Sequence, residues 1–439
     1  MLELDDIQHI LLTRTPAITG RYEFLTFDTA AGGRAWLAEL ADKVQSAADV
    51  RTTMDDSDRW VTLAFTWTGL RALGVPEESL ASFPDAFREG MASRAGILGD
   101  TGDAAPQHWV GGLAGEDLHA IAILFSRTDE QCRRSIEEHD KLLARTEGVR
   151  SLSYLDLNAT PPFNYAHDHF GFRDRLSQPV MKGSGEQPTP GSGDALEPGE
   201  FILGYPDENG PVTDLPVPEV LSRNGSYLAY RRLAEHVAVF RDYLRENSDG
   251  PDGEELLAAK FMGRWRSGAP LVLAPDKDDP ELGADPMRNN DFNYKDDDPF
   301  GYACPLGSHA RRLNPRDTAH YLNRRRMIRR GATYGPELPE GAPDDGVDRG
   351  IAAFIICADL VRQFEFAQNV WINDASFHEL GNEHDPICGT QDGTLDFTVP
   401  KRPIRKVHKG IPAFTTLRGG AYFFLPGLAA IRYLASLGE

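Results

Sequence analysis

The chain has few cysteines, and they lie far apart. Cys132, Cys304, Cys357 and Cys388 are the four in 439 residues. No two of them form a Cys-x-x-Cys pair, which excludes zinc ribbons and thioredoxin-type dithiol motifs. Scattered cysteines without a framework are typical of proteins in a reducing compartment. We therefore predict a cytoplasmic protein.

Long apolar runs and an excess of basic residues are also missing. No stretch reaches the length of a membrane span, and the first residues, MLELDDIQHILLTRTP, carry acids where a secretory signal has a basic segment. Lys and Arg number 46 against 67 Asp and Glu, a net charge of -21. We expect neither nucleic acid nor a membrane as a partner, because both are anionic.

The chain is long for one domain, and 41% of its residues are hydrophobic. We predict two domains, residues 1–215 and 216–439, joined near a Gly-, Pro- and Ser-rich loop at 181–200. The first half alternates short strands and helices in the order of an α+β ferredoxin-like unit. Its predicted strands are 22–27, 61–65, 119–125 and 149–157, with helices at 33–44, 129–145 and a short one capped by Thr68.

The second half repeats this pattern less cleanly. It has predicted strands at 350–358, 413–417 and 421–425, and helices at 226–247, 253–265, 359–371 and 426–437. Two ferredoxin-like domains of this kind can pack sheet to sheet with a ligand between them.

The stretch CPLGSHARRLNPR places His309 among Arg311, Arg312 and Arg316. Nearby positive charge disfavours imidazolium, and neutral imidazole is the form that binds a metal. Arginines suit the carboxylates of a cofactor. We interpret the stretch as a haem pocket, with His309 on the iron and arginines towards the propionates. The alternative is an ordinary histidine in a basic surface turn.

Two further stretches carry candidate catalytic groups. In FGFRDRLSQP, Asp174 lies between Arg173 and Arg175, which keep it ionised and suited to act as a general base. The alternative is a surface ion pair or a turn contact. In RRRMIRRG, residues 324–331, one buried arginine can stabilise a developing negative charge, although a solvated basic helix face explains such a run equally well.

A metal pair of His167 and His169 is a competing site. Their spacing suits one face of a strand, but the sequence offers no evident third ligand. We keep it as the basis of a non-haem metal enzyme. A two-domain binding protein without any cofactor is a further alternative.

Several segments together resemble the dye-decolourising peroxidases, in particular their larger branch. GFRDRLSQP is similar to the GxxDG-type stretch of that family, CPLGSHARRLNPR to its proximal-histidine segment, and MIRRGATYGPE to its distal-arginine segment. Further matches are FILGYPDENG, AKFMGRWRSGAPLV, DLVRQFEFAQNVWIN and TTLRGGAYFFLPGLAAIRYL. The resemblance extends from about residue 22 to 437.

The resemblance implies haem b held mainly by the second of two ferredoxin-like domains, with His309 as the axial iron ligand. It also implies Asp174 as the distal acid-base residue and Arg329 as the distal arginine, with Arg330 as the competing assignment. The last glycine of the GxxDG pattern is Arg175 here. This departure makes a haem-handling protein with weak peroxidase activity the alternative function.

The substrates expected from this resemblance are hydrogen peroxide and an unknown organic reductant such as a dye or a phenol. An Asp titrates well below a His, so we expect activity weighted towards low pH. Glu365 and Asp385 are alternative acceptors for the second nitrogen of His309. Homo-oligomerisation stays open.

Overall fold

A computed structural model describes residues 1–12, 19–52, 59–157, 167–174, 176–318 and 320–438. Within these ranges the backbone forms one large sheet and one small hairpin. The strands are β1 (Thr19–Phe27), β2 (Arg59–Phe65), β3 (Ala120–Ser126), β4 (Val149–Leu157), β5 (Ser226–Glu235), β6 (Ile328–Tyr334), β7 (Gly350–Cys357), β8 (Phe397–Val399), β9 (Lys406–His408) and β10 (Thr415–Leu425).

The large sheet is antiparallel and has the strand order β4-β1-β3-β2-β10-β5-β7-β6. Its first four strands have the order of a ferredoxin-like unit. The last four repeat that order when β5, β6, β7 and β10 are counted as strands one to four. The two units join edge to edge through the pairing of Phe65 with Phe424. The predicted pair of ferredoxin-like units is confirmed, whereas the boundary between residues 215 and 216 stays a prediction.

The inner faces of the two units also pack against each other. The ring of Tyr22 in β1 lies 6.0 Å from that of Tyr230 in β5 and 5.0 Å from that of Phe354 in β7. Phe24 lies 5.4 Å from Tyr230. Since the sheets meet both at an edge and face to face, the eight strands curl into a barrel around one aromatic core.

Helices cover the outside of the barrel and fill its connections. They are α1 (Ala30–Ala41), α2 (Ala47–Thr52), α3 (Trp67–Ala72), α4 (Glu77–Ala81), α5 (Asp85–Glu89), α6 (Ala95–Leu98), α7 (Asp129–Arg145), α8 (Glu219–Ser222), α9 (Val237–Asn247), α10 (Gly250–Met262), α11 (Pro280–Ala284), α12 (Tyr294–Asp297), α13 (His309–Leu313) and α14 (Leu428–Ala435). Helix α7 begins at the predicted residue because Thr128 and Gln131 form a reciprocal cap.

Three predictions about the second half are wrong. The predicted helix at 226–247 is strand β5 over its first ten residues, and only α9 is helical. The basic run at 324–331 enters a strand, β6, instead of presenting a helix face. The two predicted strands at 413–425 are one strand, β10, whose register shifts between Leu417 and Gly419. In the first half, the short helix α3 is capped by Thr66 and not by Thr68.

The helix predicted at 359–371 is present but wound more widely than an α-helix. It consists of two π-helical segments, Leu360–Glu365 and Ala367–Ile372. The Asp359 side chain caps it by accepting a hydrogen bond of 2.8 Å from the Arg362 backbone N–H. π-Helical turns are frequent beside functional sites, and Ala367, Gln368 and Ile372 line the cavity described next.

Candidate active site

A cavity of about 410 Å³ lies against the second ferredoxin-like unit. This volume is within the range of small-molecule sites, roughly 300–1,000 Å³. The cavity is lined by the loop around Asp174, by helix α13 with His309, and by β6 with Arg329. Three residues far apart in the sequence therefore border one space.

One wall of the cavity is a largely apolar patch of sheet. Ile351, Ala353 and Ile355 alternate along β7, are half-buried and line the cavity, whereas the residues between them are fully buried. Gly331 pairs with Ala353 on the neighbouring β6 and adds no side chain. Small and branched residues in register make a wall on which a planar apolar ligand can lie.

His309 is held by a buried carboxylate. Its Nδ1 lies 2.9 Å from Oδ2 of Asp385, which is fully buried. Asp385 also accepts hydrogen bonds from the backbone N–H groups of Ile387 and Cys388. Burial alone would raise the pKa of Asp385, but His309 and these hydrogen bonds lower it overall. The carboxylate therefore stays ionised and accepts from Nδ1–H.

Of the two acceptors left open by the sequence, Asp385 is the one that contacts His309. Glu365 instead binds Arg94 and accepts a hydrogen bond of 2.9 Å from the Tyr422 hydroxyl. With Nδ1 engaged, Nε2 of His309 makes no hydrogen bond to any residue in the described ranges. A histidine with one nitrogen on a carboxylate and the other facing a cavity is arranged as a metal ligand.

The loop that carries Asp174 is held by hydrogen bonds to the ends of two strands. The backbone N–H of His169 donates to Glu235 at the end of β5, at 3.1 Å. The imidazole Nε2 of His169 lies 2.8 Å from the carbonyl oxygen of Tyr334 at the end of β6. These contacts fix the turn from which Asp174 reaches the cavity. Asp174 itself is exposed and makes no hydrogen bond within the described part of the chain.

Arg329 is attached to the same loop. Its guanidinium donates to the carbonyl oxygens of Leu176 and Ser177, both at 3.2 Å. Its neighbour Arg330 extends to the N-terminal segment, where it donates to the carbonyl oxygens of Ile10 and Leu11. Both arginines line the cavity, and Arg329 holds the residues that follow Asp174 through these two hydrogen bonds.

This geometry has close counterparts among known proteins. Residues 6–153 match the profile of the DyP dimeric alpha+beta barrel domain. A dye-decolorizing peroxidase of Mycena epipterygia is 31% identical over 99% of this chain and 87% of its own length. The chain belongs to the dye-decolourising peroxidase family. It is therefore a peroxidase, an oxidoreductase that acts on peroxide, and enzymes of this family are haem enzymes.

Solved structures agree with the sequence comparison. A fungal DyP-type peroxidase from Auricularia auricula-judae superposes with a TM-score of 0.87 at 27% identity, covering 99% of this chain and 100% of that one. A dye-decolorizing peroxidase in complex with 2,6-dimethoxyphenol gives the same TM-score at 28% identity, covering 99% of this chain and 100% of the other.

The predicted cofactor arginines of the peroxidase differ in their placement. Arg311 does not line the cavity: its guanidinium lies 3.2 Å from Asp298, donates to the Cys304 carbonyl oxygen and stacks 4.3 Å from the ring of Tyr294. These contacts pack Arg311 beside the cavity-lining segment, and its assignment as a cofactor-binding residue stays a prediction. Arg316 lines the cavity, but its donors bind the carbonyl oxygens of Gly191, Asn290 and Phe292.

A cavity arginine that sequence reasoning missed is Arg326. It makes no side-chain hydrogen bond or ion pair to the described residues. Burial and the nearby charges of Arg329 and Arg316 lower its pKa to about 10. A half-buried guanidinium that lines a cavity without a carboxylate partner can bind an anionic ligand. The one signal in the sequence is that Arg326 belongs to the arginine-rich run at 324–331.

The competing pair, His167 and His169, is not among the groups of described residues that could hold a metal. His169 is engaged with Tyr334, and burial lowers its pKa to about 4. Across the described residues, the groups able to hold a metal are His309 with Asp385 and Cys388, and Glu23 of β1 with His139 and Asp140 of α7. His167 and His169 are in neither. Arg175, where the resemblance implies a glycine, lies outside the described residues.

Asp168 gives a pH-dependent prediction. Burial and the neighbouring Asp174 raise its pKa to about 7, above the value of about 3.9 expected in the unfolded chain. The folded protein therefore binds the Asp168 proton more tightly than the unfolded chain does. The free energy of unfolding falls for this reason as the pH rises from about 4 to about 7. Asp168→Asn removes this loss while its side-chain oxygen can still accept from the Phe172 N–H.

We expect Asp168→Asn to melt a few degrees above the wild type at pH 8 and equally at pH 4. Thermal unfolding at several pH values checks this. A difference that does not change with pH would contradict the assignment.

No helix in the described ranges combines the length and the apolar content that a membrane crossing requires.

Proposed function

We propose that this chain is a haem b peroxidase that reduces hydrogen peroxide and oxidises dyes, phenols or other bulky reductants. The observation that carries the proposal is the Asp385-oriented His309, whose Nε2 is available in the same cavity as Asp174 and Arg329. A relative bound to 2,6-dimethoxyphenol supports the phenol class.

The cavity residues fit haem b on two independent grounds. The apolar residues of β7, with Gly331 beside them, can pack against a porphyrin face, and the available imidazole nitrogen of His309 suits its iron. Arg264, Arg316 and Arg326 line the cavity without a carboxylate partner among the described residues. One buried and two half-buried guanidiniums without a counter-ion suit a ligand that brings its own carboxylates, as the two propionates do.

When bound, haem supplies the iron at which peroxide exchanges two electrons. His309 would hold that iron through Nε2. By accepting a hydrogen bond from Nδ1–H, Asp385 would fix the tautomer of the imidazole and make Nε2 more basic. Within the cavity, the Asp174 carboxylate would take a proton from hydrogen peroxide and return it to the leaving oxygen. Arg329 donates hydrogen bonds to the charge that develops as the O–O bond breaks.

The overall reaction balances with two protons and two electrons for each peroxide, giving two waters. The electrons come from the organic reductant. Asp174 moves protons without consuming them, so it can act in each turnover. Cytoplasmic location and homo-oligomerisation stay predictions.

The test is a titration of the cofactor-free protein with haemin, followed by one equivalent of peroxide. We expect one haem per chain, a Soret band changed by peroxide, and loss of the histidine-ligated spectrum in His309→Ala. His384→Ala is the matched control, because its Nδ1 binds the Thr390 carbonyl oxygen outside the cavity. Haem binding without peroxide turnover would favour the haem-handling alternative, and the absence of haem binding would refute the proposal.

Arg326→Leu tests the propionate assignment. We expect haem to bind about 10- to 100-fold more weakly, the loss typical of a hydrogen bond to a charged group. We also expect the cofactor-free protein to melt higher, because Arg316 and Arg329 no longer face a third buried cation. Arg326→Lys should retain part of the affinity. Unchanged haem affinity in Arg326→Leu would place the propionates elsewhere.

A further inference from the structure

The carboxylate of Asp385 belongs to a short turn, residues 385–390, that is held at both ends by the end of the second π-helical segment. The backbone N–H of Asp385 donates to the carbonyl oxygen of Ile372 at 2.8 Å. The backbone N–H of Thr390 donates to Oδ1 of Asn373, also at 2.8 Å. Because Ile372 and Asn373 are adjacent, the end of this helix fixes where the turn begins and where it ends.

Side chains of the same region also reach the first ferredoxin-like unit. Helix α6 ends at Leu98, and the last carbonyl groups of a helix have no partner within it. The Asn373 side-chain amide donates to the carbonyl oxygen of Leu98 at 2.8 Å, and the Thr390 hydroxyl donates to that of Gly99 at 2.6 Å. The turn that carries Asp385 is therefore attached to a helix of the other unit.

Glycine at position 99 permits this close approach. Gly99 has a φ of +73°, and a Cβ atom there would lie 2.5 Å from Nδ2 of Asn373. A side chain would be strained by the backbone angle and would push Asn373 away. The contact between Asn373 and the end of α6 therefore depends on the absence of a side chain at Gly99.

The shape of the turn decides where its carboxylate points. Oδ1 of Asp385 accepts hydrogen bonds of 2.9 and 3.0 Å from the backbone N–H groups of Ile387 and Cys388. Oδ2 is then 2.9 Å from Nδ1 of His309. Since two of these three contacts come from the turn itself, a change in its shape moves Oδ2 relative to the imidazole.

We propose that Asn373 is a positioning residue of the peroxidase, which holds the turn so that Asp385 keeps its hydrogen bond to His309. This inference rests on the proposed function. Asn373 is not among the residues that line the cavity, so it acts through Asp385. A carboxylate that accepts from Nδ1–H makes the other imidazole nitrogen a more basic ligand. A more basic ligand favours ferric over ferrous iron, and hydrogen bonding around the ligand is one way in which a protein sets the reduction potential of haem.

The experiment compares the haem-loaded wild type with Asn373→Leu, which has neither the donor nor the acceptor of the amide. We expect the ferric/ferrous reduction potential to rise and the iron–histidine stretching frequency of the ferrous protein, measured by resonance Raman spectroscopy, to fall. The Thr415 hydroxyl still donates to the carbonyl oxygen of Ile387 at 2.7 Å and holds the middle of the turn. Both changes should therefore be smaller than those in Asp385→Asn.

Asn369→Leu is the matched control. Asn369 is an exposed residue of the same helix, and its side-chain amide donates to the carbonyl oxygen of Ile97, at the same end of α6, at 2.8 Å. Both substitutions remove a hydrogen bond to α6 and should lower the melting temperature. Only Asn373→Leu should change the potential and the stretching frequency. A lower melting temperature with both quantities unchanged in Asn373→Leu would show a purely structural role and overturn the proposal.

A double substitution tests whether Asn373 acts through the carboxylate. In the Asp385→Asn background, Asn373→Leu should add no further shift in potential, because the hydrogen bond that it loosens is already lost. An equal shift in both backgrounds would contradict the proposal.

Thr390→Val provides a second variant should Asn373→Leu not fold. It keeps the backbone N–H of Thr390 and removes the hydroxyl bond to Gly99, so we expect a smaller shift in the same direction. Failure of haem to bind through His309 would refute the proposed function. Haem bound through His309 with an unchanged potential in both Asn373→Leu and Thr390→Val would refute this inference alone.

Discussion

Asp174→Asn is expected to lower kcat/KM for hydrogen peroxide by about 10²- to 10⁴-fold, the range for loss of a positioned proton-transfer group. The amide keeps the size of the side chain but cannot take a proton from peroxide. Because Asp174 makes no hydrogen bond to the described residues, its replacement should leave the loop and haem binding unchanged. Stopped-flow measurement of the reaction with peroxide gives the rate directly.

The control for this substitution is Asp168→Asn. Asp168 belongs to the same turn, where its carboxylate accepts a hydrogen bond of 2.7 Å from the Phe172 N–H. We expect its replacement to change the stability at high pH and to leave the peroxide reaction within a few-fold of the wild type. Equal losses in both variants would mean that the turn as a whole, and not the Asp174 carboxylate, determines the rate.

Arg329→Leu is expected to lower kcat/KM for peroxide by about 10²- to 10³-fold, the cost of removing one donor that stabilises transition-state charge. The guanidinium also binds the carbonyl oxygens of Leu176 and Ser177. Part of the loss therefore comes from a looser Asp174 loop. Arg329→Lys keeps the charge but not the planar fork, and it should recover only part of the rate.

Arg330→Leu decides between the two adjacent arginines. Its guanidinium is bound to the carbonyl oxygens of Ile10 and Leu11, so we expect a lower melting temperature and a peroxide reaction close to the wild type. The reverse result, a large kinetic loss in Arg330→Leu and none in Arg329→Leu, would transfer the role to Arg330.

Much of the first ferredoxin-like unit could be predicted because its local signals agree with its fold. The boundaries of α7 and β4 match the prediction, since the helix has a reciprocal cap and an amphipathic face. Strand β5 was missed because SYLAYRRLAE carries two adjacent arginines and spaced leucines that mimic a helix. Its Arg231 is tolerated in a central strand because it binds the buried Asp100 through two hydrogen bonds of 2.6 and 2.7 Å.

Site residues could be predicted from the sequence only where a family motif assigns a role to one position. His309, Asp174 and Arg329 come from such motifs, and the structure brings all three to one cavity. The partner of His309 could not be chosen, because Asp385 and Glu365 lie in segments whose contacts depend on the whole fold. The same limit applies to the arginine runs, because which arginine reaches the cavity depends on the backbone around it. Arg326 lines the cavity and Arg311 does not.

The unpaired arginines have a consequence for how the enzyme matures. The chain is strongly acidic overall, with a net charge of -21, yet it gathers positive charge in its interior around Arg326. Before the cofactor arrives, these cations repel one another in a poorly screened space. Salt or a multivalent anion should therefore stabilise the cofactor-free protein, and insertion of haem would relieve the repulsion.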